Sequence, residues 1–384
     1  MRIAFCYHEK GVRDPVDPVN IWTAQRGLTG SEMAFFMFAA HMADLGHSVC
    51  IFTNFTNPGP FGKAFCIPYK DWEIVYSKQD WDVVLASTIA DPLKFAAPGS
   101  FRVLHHQCKG FGSSSPGWEN YVDLLAPLSS SHARVLAPDT NFPREKWRVL
   151  NNGVDCSKFY PTSKVPGKMI WASSLDRGYH WLLEAFPQIK RAVPEANLHI
   201  FYDFFSIRHM AETYFPNPTN PYLTKDNFEL GARSRYILEA IERLQGRGVH
   251  PHGSISRNRM EEEMRNSSVL SYPLDPVYYT ETFGVTVLEA IASGTVPIIC
   301  AADAFGELWG PVSETVPAPY SAHKEEWAEK VIRCLRDEPY RQSVANKCVD
   351  YAKKFEWSVL AQNLDQCLKT RGDKGLPQVE WSGT

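Results

Sequence analysis

An α/β fold, with parallel sheets covered by helices, is predicted from two observations. Short β-branched or aromatic runs alternate with longer amphipathic stretches along the whole chain, and the alternation starts again after a polar, turn-rich segment near the middle. The 384 residues, at about 150 per domain, leave room for two or three domains. A content of 44% hydrophobic, 13% aromatic and 22% charged residues belongs to a globular chain and excludes a disordered or fibrous one.

The N-terminal elements set the pattern. Residues 2–7 read as a strand, a polar loop follows through Gly27, Thr29 and Gly30, and residues 31–45 read as a helix that Gly46 ends. Thr29 and Glu32 have the spacing of a capping box, in which a hydroxyl and a carboxylate satisfy amides of the first turn. Further strands are expected at 47–53, 81–86, 101–105 and 148–151. The polar segment after Asp155 precedes a new strand at 169–172, which places a domain boundary near residue 160. Beyond it come helix 179–192, strand 197–202, helix 234–244, strand 249–254, helix 258–265, strand 269–272, helix 284–292 and strand 296–300. The aromatic, proline-rich stretch between Tyr202 and Ser234 reads as an irregular surface excursion, residues 357–368 as the last helix, and the tail from Arg371 as poorly ordered. The expected division is therefore 1–160, 161–356 and a C-terminal piece 357–384.

Lys and Arg total 40 against 43 Asp and Glu, and a net charge of −3 provides no long-range attraction to nucleic acid or acidic lipid. Nine scattered cysteines, with no CxxC pair and no zinc spacing, read as reduced thiols of a cytoplasmic protein. No apolar run approaches the roughly 18 residues of a membrane span, and the stretch before His8 is too short for a signal peptide. GxSxG, HExxH, the P-loop and GxGxxG strings are all absent from the sequence, which removes the local signals of hydrolase, zincin, P-loop kinase and dinucleotide sites. The basic and aromatic residues at 144–148 are too few for a nucleic-acid surface.

The stretch ETFGVTVLEAIASGTVPII, residues 281–299, carries the most chemistry. Glu281 stands just before a helix that opens at Phe283 and Gly284, and Glu289 lies about one to two turns inside it. Amides at a helix start, with the positive end of its dipole, bind anions, and glycine lets a ligand approach the backbone. A phosphate there would have a carboxylate on each side to hold hydroxyl-rich groups. A buried strand-helix-strand unit, with Glu281 as a cap and Glu289 in solvent, accounts for the same residues equally well.

In its order of acidic residue, Phe-Gly, aliphatic triplet, Glu-Ala and small-Gly, this stretch resembles the E-x7-E signature of the retaining glycosyltransferases of family 4. Three further segments resemble that family in the same chain order. GLTGSE at 27–32 is similar to its glycine-rich first loop, LNNGVD at 150–155 with Phe159 and Pro161 to its boundary segment, and residues 252–273 to the loop, helix and strand preceding the signature. The resemblance covers most of the chain. It implies the GT-B fold, two Rossmann-like domains facing a cleft, with the last helix returning to the first domain.

Carried over position by position, the resemblance has Glu281 contact sugar hydroxyls and Glu289 the ribose diol. The amides of Phe283, Gly284 and Val285 would meet the donor's phosphate and sugar, Ile255 would pair the base through its backbone, and Gly30 would approach the donor from the first loop. The family's Gly-Arg and Lys, which steady the leaving diphosphate, correspond to Ser173, Ser174 and Arg177 in WASSLDRG. Arg177 falls at the Lys position, Ser174 stands where Arg is usual, and Arg257 is a candidate substitute. One of His105 and His106, with His106 favoured, would face the donor sugar; consecutive strand residues point to opposite sides, so the pair is no metal site. Asp80-Trp81-Asp82 spells the DxD string of another, metal-using glycosyltransferase class, but it leads into a strand and reads as a turn with solvated acids.

The implied function is retaining transfer of a hexose-like sugar from a nucleoside diphosphate sugar to a hydroxyl acceptor, with no metal and no cofactor. The acceptor, a glycan, small molecule or protein, is expected at loops 13–30 and 109–118. A nucleotide-sugar epimerase, a sugar phosphorylase or a non-catalytic nucleotide-sugar binder are the alternatives, the last because of Ser174.

Overall fold

The computed structural model describes residues 1–8, 15–21, 28–214 and 224–382. It divides into two units: Leu28–Gly153 with the described residues before it and those from Lys354 onward, and Val154–Lys353. The mixed α/β class read from the sequence is the class observed.

In the first unit the strands are β1 (Arg2–Tyr7), β2 (Ser48–Thr53), β3 (Gly59–Phe61), β4 (Ala64–Pro68), β5 (Val83–Ser87), β6 (Phe101–His105) and β7 (Leu124–Ala126). They lie in the order β3-β4-β2-β1-β5-β6-β7, and every neighbouring pair is parallel except β3–β4. Setting aside the short antiparallel β3, the order is that of a doubly wound sheet, which reverses between β1 and β5. Strand β5 is buried at all its residues and β1 at all but Arg2, as expected for strands covered on both faces. Helices α1 (Gly30–Asp44), α2 (Lys70–Ile74) and α3 (Ser130–Leu136) belong to this unit.

The second unit repeats the plan. Its strands are β8 (Lys168–Trp171), β9 (Asn197–Ile200), β10 (Val249–Pro251), β11 (Val269–Tyr272), β12 (Val296–Cys300) and β13 (Glu314–Val316), all parallel in the order β10-β9-β8-β11-β12-β13. Between and after them run α4 (Tyr179–Ala192), α5 (Phe205–Tyr214), α6 (Lys225–Leu244), α7 (Arg257–Asn266), α8 (Val285–Ala292), α9 (Phe305–Leu308), α10 (Lys324–Arg336) and α11 (Glu338–Ala352). The last helix, α12 (Trp357–Lys369), belongs to the first unit, where Trp357 meets Phe38 of α1 edge-on at 5.1 Å. With Leu360, Leu364 and Leu368 it shares one apolar core with Phe5 and Phe35.

Three expectations are corrected. Residues 148–151 form no strand, because their amides go to different neighbours: Arg148 N–H donates to Leu125 O (3.0 Å), Val149 N–H to Pro377 O (2.9 Å) and Leu150 N–H to Pro127 O (2.9 Å). The tail is not loose. Leu376 and Val379 are buried, Glu380 N–H donates to Ser130 Oγ (3.0 Å), and Trp381 packs on Trp147 at 5.4 Å and under the Arg144 guanidinium at 4.7 Å. The stretch between Tyr202 and Ser234 is not irregular throughout, for it holds α5 and the start of α6, where Thr224 Oγ1 caps the helix by accepting from Asn227 N–H at 3.1 Å; residues 215–223 lie outside the described residues.

Candidate active site

In an open parallel sheet, ligands bind beyond the carboxyl ends of the strands where the strand order reverses. In the second unit that point lies between β8 and β11. The loop leaving β8 carries Arg177 and the loop leaving β11 carries Glu281. Gly178 lets the two loops touch. Its φ is +99°, and a Cβ there would stand 2.1 Å from the Pro273 carbonyl oxygen, so no other residue fits.

Arg177 Nη1 donates to Glu281 Oε2 at 2.6 Å, and the Tyr272 hydroxyl donates to the same oxygen at 2.9 Å. Ser173 Oγ continues the network to Tyr272 at 2.7 Å, and Ser174 donates to Asp176. Both donors to Glu281 land on Oε2, which leaves Oε1 to accept from a ligand. The backbone is held as well: Asp303, beyond β12, accepts from the amides of Thr280 (2.9 Å) and Glu281 (2.8 Å). Burial opposes the charge on Arg177, but Glu281, Tyr272 and Asp176 outweigh it and the arginine's pKa is raised. The guanidinium is a fixed cation.

A second couple lies further along. Glu289, only 5% exposed, is paired with Arg257 Nη2 at 2.6 Å from its Oε1. Glu289 is therefore not a solvated surface acid. Between the two carboxylates begins α8, whose N-cap is Gly284 with φ +87° and no side-chain cap. A Cβ at Gly284 would come within 2.5 Å of the Phe305 ring. Thr286 Oγ1 donates to the Ala172 carbonyl at 2.9 Å, tying the first turn of α8 to the end of β8. Trp309 Nε1 fixes the Phe283 carbonyl at 2.6 Å. A helix start left without a side-chain cap, beside a fixed cation, suits an anion.

Of the residues singled out in the sequence, Ser174, Arg177, Glu281, Phe283, Gly284, Val285 and Glu289 thus cluster around the ends of β8 and β11, and Ile255 sits half-buried in the loop between β10 and α7. Tyr272 and Asp303 escaped the sequence reading. Each is a polar residue at or just beyond the end of a parallel strand, which is the signal that could have found it.

In the first unit, Gly30 is the first residue of α1, and the capping box is formed: Thr29 Oγ1 accepts from Glu32 N–H (3.3 Å) and Glu32 Oε2 accepts from Thr29 N–H (2.8 Å). Ser31 Oγ and Tyr7 Oη share a hydrogen bond of 3.1 Å. His105 and His106, each 1% exposed, diverge. His105 Nε2–H donates to Leu150 O (3.1 Å) and its ring meets Phe38; His106 Nδ1–H donates to Thr88 O (2.9 Å) and its ring lies against Phe111 and His132. Burial lowers both to about 4, so both are neutral at pH 7. Thr88 has φ +67°, a conformation that β-branched residues rarely adopt. The loop 13–30 falls partly outside the described residues.

The DxD string sits at the other, amino end of β5, where Asp82 Oδ2 accepts from Arg2 N–H at 2.7 Å and the Arg2 guanidinium lies 5.1 Å from the Trp81 ring centre. Among the described residues no three His, Cys, Asp or Glu side chains are grouped to hold a metal, and no helix is long and apolar enough to cross a membrane.

Residues 169–355 match the family described as glycosyl transferases group 1. A D-inositol 3-phosphate glycosyltransferase of Corynebacterium aurimucosum is 33% identical over 87 residues, 23% of this chain and 20% of that protein, so the match spans about a fifth of the relative's length. Among solved structures, sucrose-phosphate synthase from Thermosynechococcus elongatus superposes with a TM-score of 0.67 at 14% identity, over 96% of this chain and 99% of the other. Anabaena HepE, solved with UDP and glucose, gives 0.65 at 15% identity, over 96% and 100%. The family match spans the two arginine–carboxylate couples and the helix between them, and the structural likeness runs through both units: residues 169–355 are similar to the glycosyl transferases group 1, and the chain has the GT-B fold.

Proposed function

We propose that this chain is a retaining glycosyltransferase that moves a hexose-like sugar from a nucleoside diphosphate sugar to a hydroxyl acceptor without a metal. The observation that carries the reading is the pair of couples Arg177–Glu281 and Arg257–Glu289 flanking the uncapped start of α8 at the strand-order reversal. Glu281, with Oε1 available, accepts from the sugar hydroxyls, and Glu289 accepts from the ribose diol. Arg177 and the first amides of α8 meet the diphosphate, whose oxygen gains charge as the glycosidic bond loosens. That oxygen takes the proton of the acceptor hydroxyl on the same face, so no strong general base is required. Ser174, bound to Asp176, adds no cation, which leaves Arg177 as the main positive charge on the leaving group. His106 is the proposed sugar contact from the first unit. The acceptor is a glycan, small molecule or protein, and the setting cytoplasmic.

The test is thermal-shift screening against UDP, GDP, ADP, CMP and TDP and their sugar conjugates, with EDTA present. A ligand at 100 times its dissociation constant adds about 2.7 kcal/mol, which is readily seen. A selective shift with one nucleotide, followed by turnover whose product keeps the donor's anomeric configuration by NMR, is the expected result. No shift with any of them would sink the reading, and activity abolished by EDTA would remove its metal independence.

A further inference from the structure

Arg257 occupies an unfavourable place. It is the first residue of α7, where the helix dipole is positive, and Ser256 before it offers no side-chain cap. An arginine there needs compensating partners, and the structure shows what they are. Its Nη2 lies 2.6 Å from Glu289 Oε1, its Nε lies 3.8 Å from Glu261 Oε1, and its guanidinium carbon sits 4.7 Å from the centre of the Phe159 ring. Phe159 is 1% exposed and its amide donates to Asp155 O at 2.9 Å, so the ring is a fixed wall. The same helix face fastens the neighbouring chain again one and two turns later. Glu261 faces Lys158 at 3.9 Å, and Arg265 donates to the Lys158 carbonyl at 2.9 Å while lying over the Tyr160 ring at 4.7 Å.

We propose that Arg257 is a positioning residue for nucleotide recognition. Clamped between Phe159 and Glu261, it holds Oε1 of Glu289 and so turns Oε2 toward the ribose diol, without touching the nucleotide itself. This rests on the reading of Glu289 as the ribose acceptor. An ionised carboxylate accepts best when one oxygen is already oriented, because the second then loses no rotational freedom on binding. A guanidinium suits the task better than an ammonium, since its plane stacks on a ring while its edge donates. The boundary segment that carries Phe159 thereby becomes part of the nucleotide site, although it contributes no group to the ligand.

The experiment is isothermal titration of the full chain, as wild type, Arg257→Ala, Arg257→Lys and Phe159→Leu, with UDP, GDP and ADP and the 2′-deoxy form of each. For the nucleotide that binds, the wild type is expected to prefer the ribose form about tenfold or more, the worth of one hydrogen bond to a charged group. In Arg257→Ala the preference collapses toward one, while the affinity for the deoxy form barely moves. Arg257→Lys and Phe159→Leu fall between. Equal weakening of both forms, with the ratio kept, overturns the proposal, because it means that Arg257 either contacts the diphosphate or serves only the fold. A wild type without ribose preference overturns the Glu289 reading itself, a distinct failure. Should Arg257→Ala not fold, the ratios in Arg257→Lys and Phe159→Leu decide the question: a wild-type ratio in both overturns the proposal, and a reduced ratio in both supports it.

Discussion

Helices α1 and α8 begin the same way topologically and end up chemically opposed. Each lies beyond a strand beside the order reversal of its sheet, β1 for α1 and β11 for α8. The start of α1 is closed by its own sequence, since Thr29 and Glu32 satisfy amides of the first turn. The start of α8 has a glycine N-cap and no side-chain cap, with Arg177–Glu281 before it and Arg257–Glu289 within and beside it. In the first unit, Tyr7, Ser31, Thr88 and two histidines that are neutral at pH 7 lie at or just beyond the described strand ends. One strand order thus supports two kinds of surface, and the difference lies in a few residues per loop. Fold alone assigns neither.

The largest effect expected from disturbing this contrast is on Glu281. Replacing it with Ala removes the proposed acceptor for sugar hydroxyls and leaves Arg177 without its main partner. We expect kcat/KM to fall about 10²–10³-fold, the usual scale for a lost transition-state contact in a dry site. Nucleotide affinity, measured by titration, should change by much less. An unchanged turnover would erase the distinction between the two units.

A smaller effect concerns pH. His105 and His106 are lowered by burial to about 4 in the fold, against about 6.5 in the unfolded chain. Their contribution to stability is therefore complete above pH 6.5 and is lost as pH falls through about 4, at an upper limit of about 3 kcal/mol for each ring. Imidazole NMR resonances of both should keep neutral-ring shifts down to about pH 5, and the urea midpoint should drop between pH 6.5 and 4. Titration of either ring near 6.5 would show that the first unit's strand ends can become charged.

The smallest effect is at the closed helix start. Thr29→Ala should lower stability by about 1 kcal/mol in urea unfolding, the common value of an N-cap hydroxyl. Nucleotide binding should stay the same. A loss of binding beyond the loss of stability would overturn the reading of Thr29 as a helix cap alone.

How much of this was legible follows from the range of each interaction. The capping box, β1, α4, β11 and β12 depend on patterns within a few residues, and they lie where the sequence placed them to within a residue or so. The signature around Glu281 and Glu289 was readable because both carboxylates and the glycine between them are local. Arg177 and Arg257 were named as candidate cations through the resemblance, but their pairing with these carboxylates was not, since Arg177 is 104 positions from Glu281 and the packing of Gly178 on Pro273 helps bring them together. Residues 148–151 looked like a strand because Val149 and Leu150 stand just before the turn formers Asn152 and Gly153, yet strand pairing is decided by the neighbours, here Leu125 on one side and Pro377 on the other. The tail misled for a related reason. Its glycines and charges resemble a loose end, while Leu376 and Val379 are buried, and Glu380 and Trp381 find partners more than two hundred residues away.

That docked tail also bears on the order in which the chain can fold as it is made. Residues 154–353 form one uninterrupted unit, whereas the core around Phe5, Phe35 and Phe38 needs Trp357, Leu364 and Leu376. During synthesis the second unit can complete its sheet while the first still lacks a helix and a closing segment. The N-terminal half emerges before the second unit and is finished after it, and it waits with an apolar face open until α12 has been made.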